Sequence, residues 1–561
     1  MTELREINLD SFVGGLNLWS TQFTLQPGES PDMLNMEIDP RSGFRTRKGW
    51  SRWNAAEAVT PVADWEPRNT FTHSLSTGAF VIYVTNNDKI EASPSSAVFA
   101  TLNVAGPTAV PATASPHLAD FAAWGDYVYI ACGVGNAAHR RNGVGTPTAA
   151  TDTFGGFNND YTTPAALGAG KMPKCEFIET HSGYLFAAYT QETTARPNRL
   201  RWSHPSQPEN WAELDYIDID AGGGKITGLR SFRDHLLIFK TDSVWALYGY
   251  GSDSWQLVQV SQTAGTPNTT AVTASESSVF FFSSVAGGGI FAYSGSEAPV
   301  LISRNLRTAI EGITDTDDIW LGWAGKRLWC SLPWLPDGAR VGDESTVFVF
   351  DPEVGNGAWV LHRAALGHLT CIVENSDVQV GSPLAVVCGH SGAACLVKLD
   401  FNDAPVDVIL VALTQTPVVC YYRTGWQYAQ FPERRKSWRR IRCIMDQVDE
   451  TVEVDVNTYF DYDEGSSRRL HKLTVIADGS AFWRSNGSAG ANGFDWGDGW
   501  VWGQSGSNGS EIVRSSQASV LTGFGANRAI QMEFSTNASY VGKAWGISLI
   551  VLKLVYRRFT T

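Results

Sequence analysis

The chain has 561 residues, of which 43% are hydrophobic and 12% aromatic, and its formal net charge is −14. This length exceeds one compact core and predicts two or three domains. An acidic chain is poorly suited to wrapping nucleic acid, because tight binding requires Lys and Arg to neutralise phosphates. No apolar stretch approaches the roughly 18 residues that a membrane helix needs, and the start lacks the basic and apolar regions of a signal peptide, so we expect synthesis in a cytoplasm.

Residues 1–60 are predicted to form an N-terminal arm. Within them, residues 33–50 have the pattern of a hairpin whose turn is at 39–43. Such a hairpin has no core of its own, so we expect it to close a ring of sheets against the last one or to pair with a neighbour. The residues expected in this ring-closing arm are Phe12, Trp19, Ile38, Phe44, Arg45 and Trp50.

Residues 61–404 contain a repeated hairpin. Each copy is an apolar run, a two-residue polar turn and a second run of aromatic and β-branched residues, which is typical of tight antiparallel hairpins. The copies lie at 72–83, 121–130, 177–186, 228–239, 272–282, 321–330 and, interrupted, 369–396. Recurrence at intervals of roughly 50 residues predicts radially repeated four-stranded sheets, the β-propeller. We expect seven blades, or eight if residues 133–170 contain a further strand pair.

Residues 405–561 form the third predicted unit. Their alternating strands suit an antiparallel β-sandwich-like domain, from which the Gly-, Ser-, Asn- and Trp-rich residues 479–516 protrude as an exposed loop. Helix is predicted only at 304–312. The predicted fold class is therefore all-β, a propeller followed by a sandwich-like domain.

The eight cysteines are scattered without a CxxC pair. Six of them lie inside apolar runs, which predicts buried free thiols at Cys132, Cys330, Cys371, Cys388, Cys395 and Cys420.

Catalytic and metal-binding motifs are incomplete in this sequence. Residues 165–172 lack the glycine and hydroxyl positions of a phosphate loop, and residues 389–393 lack the last glycine of a nucleophile elbow. The acidic residues at 218–220 and 461–464 do not give the ligand series of a calcium loop. We therefore predict no catalytic residue, no metal, no cofactor and no enzyme. A propeller glycosidase stays open as an alternative, because the separation of paired carboxylates is spatial.

The densest basic run alternates with apolar residues, which is typical of the wet face of a strand or of a subunit contact, while a phosphate contact also stays open. The candidate contact residues are Arg434, Arg435, Lys436, Arg439, Arg440 and Arg442.

Several motifs, in this order, resemble those of one viral family. Residues 12–50 contain Gly-Gly-Leu-Asn, Pro-Gly-Glu, Asn-Met-Glu-Ile and Gly-Phe-Arg-Thr-Arg-Lys-Gly-Trp. Residues 200–211 read Leu-Arg-Trp-Ser-His-Pro-Ser-Gln-Pro-Glu-Asn-Trp, residues 239–247 read Phe-Lys-Thr-Asp-Ser-Val-Trp-Ala-Leu, and residues 436–442 read Lys-Ser-Trp-Arg-Arg-Ile-Arg. Together they are similar to the tail nozzle of short-tailed bacteriophages, also called tail tubular protein B or the hub that stabilises packaged DNA.

The resemblance implies a structural virion protein located in the tail. It implies a homo-oligomer, a hexameric ring, below the portal and the adaptor protein, with needle, plug or fibre proteins beneath it. DNA would leave through the ring, touching its wall transiently and without sequence preference, and would be retained until the host is engaged. An acidic wall would repel phosphate instead of gripping it.

A second reading stays open beside the nozzle. The chain could be a minor tail or tail-tip protein whose C-terminal domain, with the loop around 496–502, binds a host surface receptor or glycan. Binding by residues 405–561 alone would distinguish this reading from a closed ring with a DNA-wide channel.

Overall fold

The structure is a computed structural model. It describes residues 4–21, 24–40, 43–52, 67–86, 89–93, 100–101, 119–143, 152–154, 157, 170–220, 224–313, 315–334, 346–363, 369–375, 385–390, 395–402, 405–407, 416–429, 433–446, 452–462, 469–475, 515–521 and 526–556. Most of the predicted loop 479–516 lies outside these residues.

Seven short strands form the beginning of the chain. They are β1 (Leu4–Leu9), β2 (Gly15–Leu16), β3 (Glu29–Ser30), β4 (Asp32–Leu34), β5 (Met36–Ile38), β6 (Phe44–Thr46) and β7 (Gly49–Arg52). Strands β2 and β3 form a separate two-stranded parallel sheet. The other five belong to sheets completed by later parts of the chain.

The middle of the chain forms sheets of four antiparallel strands, which we number I to VII. Sheet I contains β8 (Pro67–Ser74), β9 (Phe80–Asn86), β10 (Lys89–Ser93) and β11 (Ala100–Thr101). Sheet II contains β12 (Asp120–Trp124), β13 (Tyr127–Ala131), β14 (Ala138–Asn142) and β15 (Asp152–Phe154). Sheet III contains β16 (Lys174–His181), β17 (Tyr184–Gln191), β18 (Ala195–Trp202) and β19 (Tyr216–Asp218).

The next three sheets follow the same order. Sheet IV contains β20 (Ile226–Phe232), β21 (His235–Lys240), β22 (Val244–Tyr248) and β23 (Gln256–Ser261). Sheet V contains β24 (Val272–Ala274), β25 (Val279–Ser283), β26 (Gly289–Tyr293) and β27 (Val300–Leu301). Sheet VI contains β28 (Trp320–Ala324), β29 (Arg327–Leu332), β30 (Thr346–Asp351) and β31 (Ala358–Arg363).

Sheet VII takes three strands from this region and its fourth from the N-terminal arm. They are β32 (Leu369–Asn375), β33 (Ala385–His390) and β34 (Cys395–Asn402), with β7 paired to β34. Each of the seven predicted hairpins falls on the first two strands of one sheet. The strands that the structure describes within 133–170 are β14 and β15, and both belong to sheet II.

Two-residue turns join the first two strands of sheets II, III, IV and VI. In sheets I and V the connections are residues 75–79 and 275–278, so the predicted two-residue turn is wrong for these two sheets. Ser182 and Gly183 have φ of 49° and 78°, and Gly325 and Lys326 have φ of 58° and 62°. Positive φ at both central positions gives the turn whose twist matches that of the flanking strands. Trp-, Phe- and Leu-rich strands on either side then bury one face against each neighbouring sheet.

The sheets close into a ring through their first strands. From β12 to β32, each first strand contacts the first strand of the next sheet, and β32 contacts β8. Sheets I and II meet through the rings of Phe71 and Phe121, stacked 5.7 Å apart, and through the Asn69 side-chain amide, which donates to Ala119 O at 2.9 Å. The first strands therefore lie nearest the axis of the ring.

The C-terminal part forms two larger sheets. Its strands are β35 (Val406–Asp407), β36 (Thr416–Pro417), β37 (Tyr421–Arg423), β38 (Lys436–Asp446), β39 (Val452–Phe460), β40 (Arg469–Val475), β41 (Ser515–Leu521), β42 (Ala526–Asn527), β43 (Ile530–Thr536) and β44 (Gly546–Tyr556). One sheet, which we call the β38 sheet, has the order β41-β38-β44-β6-β5, with β1 on β44 and β42 on β38. The other, the β39 sheet, has the order β4-β37-β43-β39-β40.

One hydrophobic core joins the ring to the two C-terminal sheets. It contains Phe12 and Phe44 of the arm, Trp329 of sheet VI, and Phe534 and Leu552 of the C-terminal sheets. The arm therefore does not form a separate unit. It supplies strands to sheet VII, to the β38 sheet and to the β39 sheet.

Helix is scarce, as predicted. The α-helix of the described residues, α1 (Arg307–Glu311), falls within the predicted segment 304–312 and follows a 3₁₀ turn at Arg304–Leu306. Other 3₁₀ turns are Thr269–Ala271, Val285–Gly287 and Ala538–Tyr540. No described helix has the length and apolarity needed to cross a membrane.

The described cysteines are buried free thiols. This confirms the prediction for Cys132, Cys330, Cys371 and Cys420, and it extends to Cys175 and Cys443. Burial raises the pKa of Cys132 and that of Cys420 to about 12. Cys388 and Cys395 lie outside the residues whose side chains are described.

Candidate subunit interface

Strand β38 presents the basic run on one face of the β38 sheet. Trp438, Ile441 and Cys443 point inwards and are buried. A register irregularity between residues 438 and 440 leaves Arg439 and Arg440 both exposed. A β-bulge re-aims side chains in this way, because one extra residue must be accommodated on the bulged strand.

The prediction of a surface contact is wrong for Lys436. Its side chain is fully buried, and its Nζ donates to the carbonyl oxygen of Arg528 at 2.8 Å. Burial lowers the pKa of Lys436 to about 8. Arg434 is half-buried and Arg435 is exposed, and both precede β38. No local pattern indicates that Lys436 turns inwards, because its acceptor is 92 positions away.

A neighbouring strand adds a fourth cation to the exposed face. Lys553 of β44 lies directly opposite Arg440 in the ladder, and Glu6 of β1 lies opposite Lys553 on the other side. The Nζ of Lys553 forms an ion pair with the Glu6 carboxylate. Directly opposite residues of a ladder share a face of the sheet. We call Arg439, Arg440, Arg442 and Lys553 the basic face.

The basic face has an electrostatic cost within the monomer. Arg440 and Lys553 are like charges directly opposite each other, an arrangement that destabilises a sheet. A carboxylate-bearing partner would offset this repulsion. Apolar side chains lie beside the cations, since Ile444 and Leu549 are opposite each other and half-buried.

The structure separates the six residues predicted to close the ring. Trp50 alone lies on β7, the strand that completes sheet VII. Ile38, Phe44 and Arg45 lie on the β5–β6 hairpin, which pairs with β44 of the β38 sheet. The prediction that this hairpin closes the ring is therefore wrong, because its buried aromatic face packs on the C-terminal sheets instead.

Aromatic contacts explain where the hairpin packs. The ring of Phe44 stacks on Tyr422 with centroids 4.0 Å apart and meets Phe12 edge-on at 4.9 Å. Arg45 donates from Nε and Nη2 to the buried Glu37 carboxylate at 3.2 and 3.1 Å. Trp19 is 44% exposed, and the Arg307 guanidinium lies over its ring at 4.7 Å.

A fully buried ion pair fixes the arm at the junction between the ring and the C-terminal sheets. Arg47 donates to both carboxylate oxygens of Asp407, at 2.9 and 2.7 Å, and both side chains are closed to solvent. The same carboxylate accepts the backbone N–H of Trp50 at 2.9 Å, and the guanidinium lies 3.9 Å from the Trp50 ring. Sequence reasoning missed this pair because its partners are 360 positions apart.

A groove lies along β1. It has a volume of ≈ 470 Å³ and runs between β1, residues 25–29 and residues 424–429. Tyr428 is 41% exposed at its wall, whereas Trp426 is buried.

Among the described residues there is no group of three or more His, Cys, Asp or Glu side chains that could hold a metal ion. Asp218, from one weak calcium candidate, accepts two hydrogen bonds from Arg199 at 2.7 and 2.6 Å.

Comparisons with known proteins identify no family for this chain. No family model and no curated protein matches the chain. Among solved structures, a virginiamycin B lyase from Staphylococcus aureus is 11% identical with a TM-score of 0.37, over 60% of this chain and 95% of that chain. YCF48 from Cyanidioschyzon merolae is 11% identical with a TM-score of 0.35, over 63% and 98%. BBS1N, solved in complex with ARL6DN, is 11% identical with a TM-score of 0.34, over 65% and 100%.

The three solved structures are β-propeller proteins. The present chain is nearly all-β, and its own four-stranded antiparallel sheets, joined through their first strands, give it a β-propeller fold. None of the three is a phage tail nozzle. The prediction of no enzyme, which was made from incomplete catalytic motifs, is contradicted by one of these comparisons, because the virginiamycin B lyase is an enzyme. The fold alone therefore does not exclude catalysis.

Proposed function

We propose that this chain is a subunit of the tail nozzle of a short-tailed bacteriophage. In this role copies of the chain form a ring, six-fold as the family resemblance implies, in the virion tail. The ring lies below the portal and adaptor, and needle, plug or fibre proteins lie beneath it. The genome leaves through its channel, and the ring helps retain packaged DNA until the host is engaged.

The proposal includes a finer reading of the fold. We take each of sheets I to VII as one blade, which gives a seven-bladed propeller closed by β7. The β38 and β39 sheets are then the two layers of a C-terminal sandwich. This sandwich is not made by residues 405–561 alone, because β1, β4, β5 and β6 belong to its sheets.

The observation that carries the proposal is the joining of propeller and sandwich into one body by the arm. A subunit of a pressurised channel must transmit force without its domains moving apart, and interfaces within a chain otherwise permit domain motion by default. Here a continuous core and the Arg47–Asp407 pair cross the junction. The order of motifs along the sequence supports the same family.

Electron microscopy tests the proposal directly. The recombinant full-length chain is imaged alone and mixed with a portal–adaptor complex of a short-tailed phage. We expect a closed ring with a DNA-wide channel that stacks coaxially on the complex. A monomer or trimer that ignores the complex and binds cells instead would contradict the nozzle and favour the tail-tip receptor binder.

A further inference from the structure

The charges of the chain are distributed unequally along the sequence. Residues 61–404 contain 34 acidic and 20 basic side chains, a formal net charge of −14. Residues 405–561 contain 15 acidic and 17 basic side chains, a net charge of +2. The acidity of the whole protein therefore resides in the propeller, while the C-terminal part is slightly basic.

Four of the basic side chains of the C-terminal part lie on the basic face. Arg439 and Arg440 are exposed, and Lys553 and Arg442 are half-buried beside them. Glu6 is the acidic residue opposite Lys553 in the ladder. Four cations on one face of the β38 sheet make this surface positive, although the Glu6 carboxylate pairs with one of them, Lys553.

Exposed acidic side chains lie together at one end of sheets IV and V. In an antiparallel meander, the turn between strands one and two and the turn between strands three and four lie at the same end of the sheet. In sheet IV these turns carry Asp234 and Asp253, and in sheet V they carry Glu276 and Glu297, all four exposed. We call these four residues the acidic end.

Hydrogen bonds between sheets IV and V join the turns of the acidic end. Arg233 of sheet IV donates to the carbonyl oxygens of Ser277 and Ser294 in sheet V, at 3.0 Å each. This cation ties the turns of the two sheets together. The four carboxylates therefore lie on adjoining turns.

We propose that the basic face of one copy docks on the acidic end of a second copy. The inference rests on the proposed ring and specifies its contact. Opposite potentials on two faces favour this pairing, whereas pairing either face with itself would bring like charges together. A contact between two different faces of identical chains is head-to-tail, and it closes into a ring when the rotation between copies permits.

Charge reversal tests the contact in the full-length chain. Arg439→Glu with Arg440→Glu changes two exposed side chains, and circular dichroism checks that the fold is retained. Sedimentation velocity should show self-association weakened by about tenfold or more, since like charges then face each other. The wild-type association should also weaken between about 50 mM and about 500 mM NaCl, because salt screens exposed charges.

A matched control and a rescue make the result specific. Arg196→Glu with Lys225→Glu changes the net charge equally at exposed propeller positions and should leave association unchanged. Adding Glu276→Arg and Glu297→Arg to the Arg439→Glu, Arg440→Glu chain should restore association.

Each other outcome contradicts a different statement. Unchanged association of the Arg439→Glu, Arg440→Glu chain, or failure of the rescue, would overturn the docking while leaving the ring. A wild-type chain that stays monomeric at every concentration would overturn the ring itself. If the reversal abolished binding of duplex DNA and left self-association intact, the basic face would be a phosphate contact and the docking would be wrong.

Discussion

Arg47 and Asp407 form an ion pair that is closed to solvent and hydrogen-bonded on both sides. Removing both charges together from such a site can be neutral, but removing one partner leaves the other buried and uncompensated. The pair therefore matters for how the arm is positioned more than for its Coulomb energy.

We expect Asp407→Ala to lower the free energy of unfolding by about 3–5 kcal/mol, because the guanidinium stays buried without its carboxylate. Urea unfolding followed by tryptophan fluorescence measures this loss. Glu311→Ala, which breaks the exposed Arg307–Glu311 pair, is the control and should cost less than about 1 kcal/mol. Equal losses in the two variants would contradict a structural role for the buried pair.

Asp120 is a buried carboxyl near the axis of the ring. It accepts the backbone N–H of Ile178 at 3.0 Å and of Phe121 at 3.1 Å, yet burial raises its pKa to about 6. The folded chain thus binds this proton more tightly than the unfolded chain does. Its contribution to stability is full below about pH 4 and is lost as the pH rises towards 6.

The Asp120→Asn variant should lack this pH dependence. Between about pH 4 and about pH 7, the wild type should lose about 3 kcal/mol of unfolding free energy relative to the variant. Urea titrations at both pH values measure the difference. Asp234→Asn is a control of opposite sign, because the hydrogen bond from His235 lowers the pKa of Asp234. Parallel curves for wild type and Asp120→Asn would disprove the assignment.

The first strands of sheets VI and VII approach each other closely at Gly322. A Cβ atom on Gly322 of β28 would lie 2.4 Å from the carbonyl oxygen of Ile372 and 2.5 Å from its Cβ. The backbone of β32 cannot retreat without disturbing its own ladder. Glycine at this position therefore allows the two first strands to touch.

For this reason Gly322→Ala should destabilise the chain by about 1–3 kcal/mol, the usual cost of overpacking. Thermal unfolding monitored by circular dichroism compares it with Gly135→Ala, where a Cβ would meet nothing within 4 Å. A similar melting temperature for the two variants would refute a tight contact between β28 and β32.

Sheet VI, the arm and both C-terminal sheets should unfold as one unit, because a single core joins them. Residues 405–561 expressed alone lack four strands of those sheets and should be unfolded or aggregated by circular dichroism and size exclusion. A separately folded fragment would contradict this. The same reasoning limits any binding test of the isolated C-terminal region, since it needs the arm to complete its sheets.

Local sequence was enough to predict the hairpins, the scarcity of helix and four of the buried thiols. Alternating apolar residues and two-residue turns act over a few positions, so their signal is complete within each segment. The family resemblance added a function that stays a proposal.

Partners far apart in the sequence were decided by tertiary packing. The β5–β6 hairpin could pair with any open edge, and its stacking on Tyr422 placed it on the C-terminal sheets. Lys436 turns inwards because the carbonyl oxygen of Arg528 accepts a hydrogen bond from its Nζ, and Arg47 lies at the junction because it pairs with Asp407. Strand patterns specify that an edge must be covered, whereas only the packed chain specifies which segment covers it.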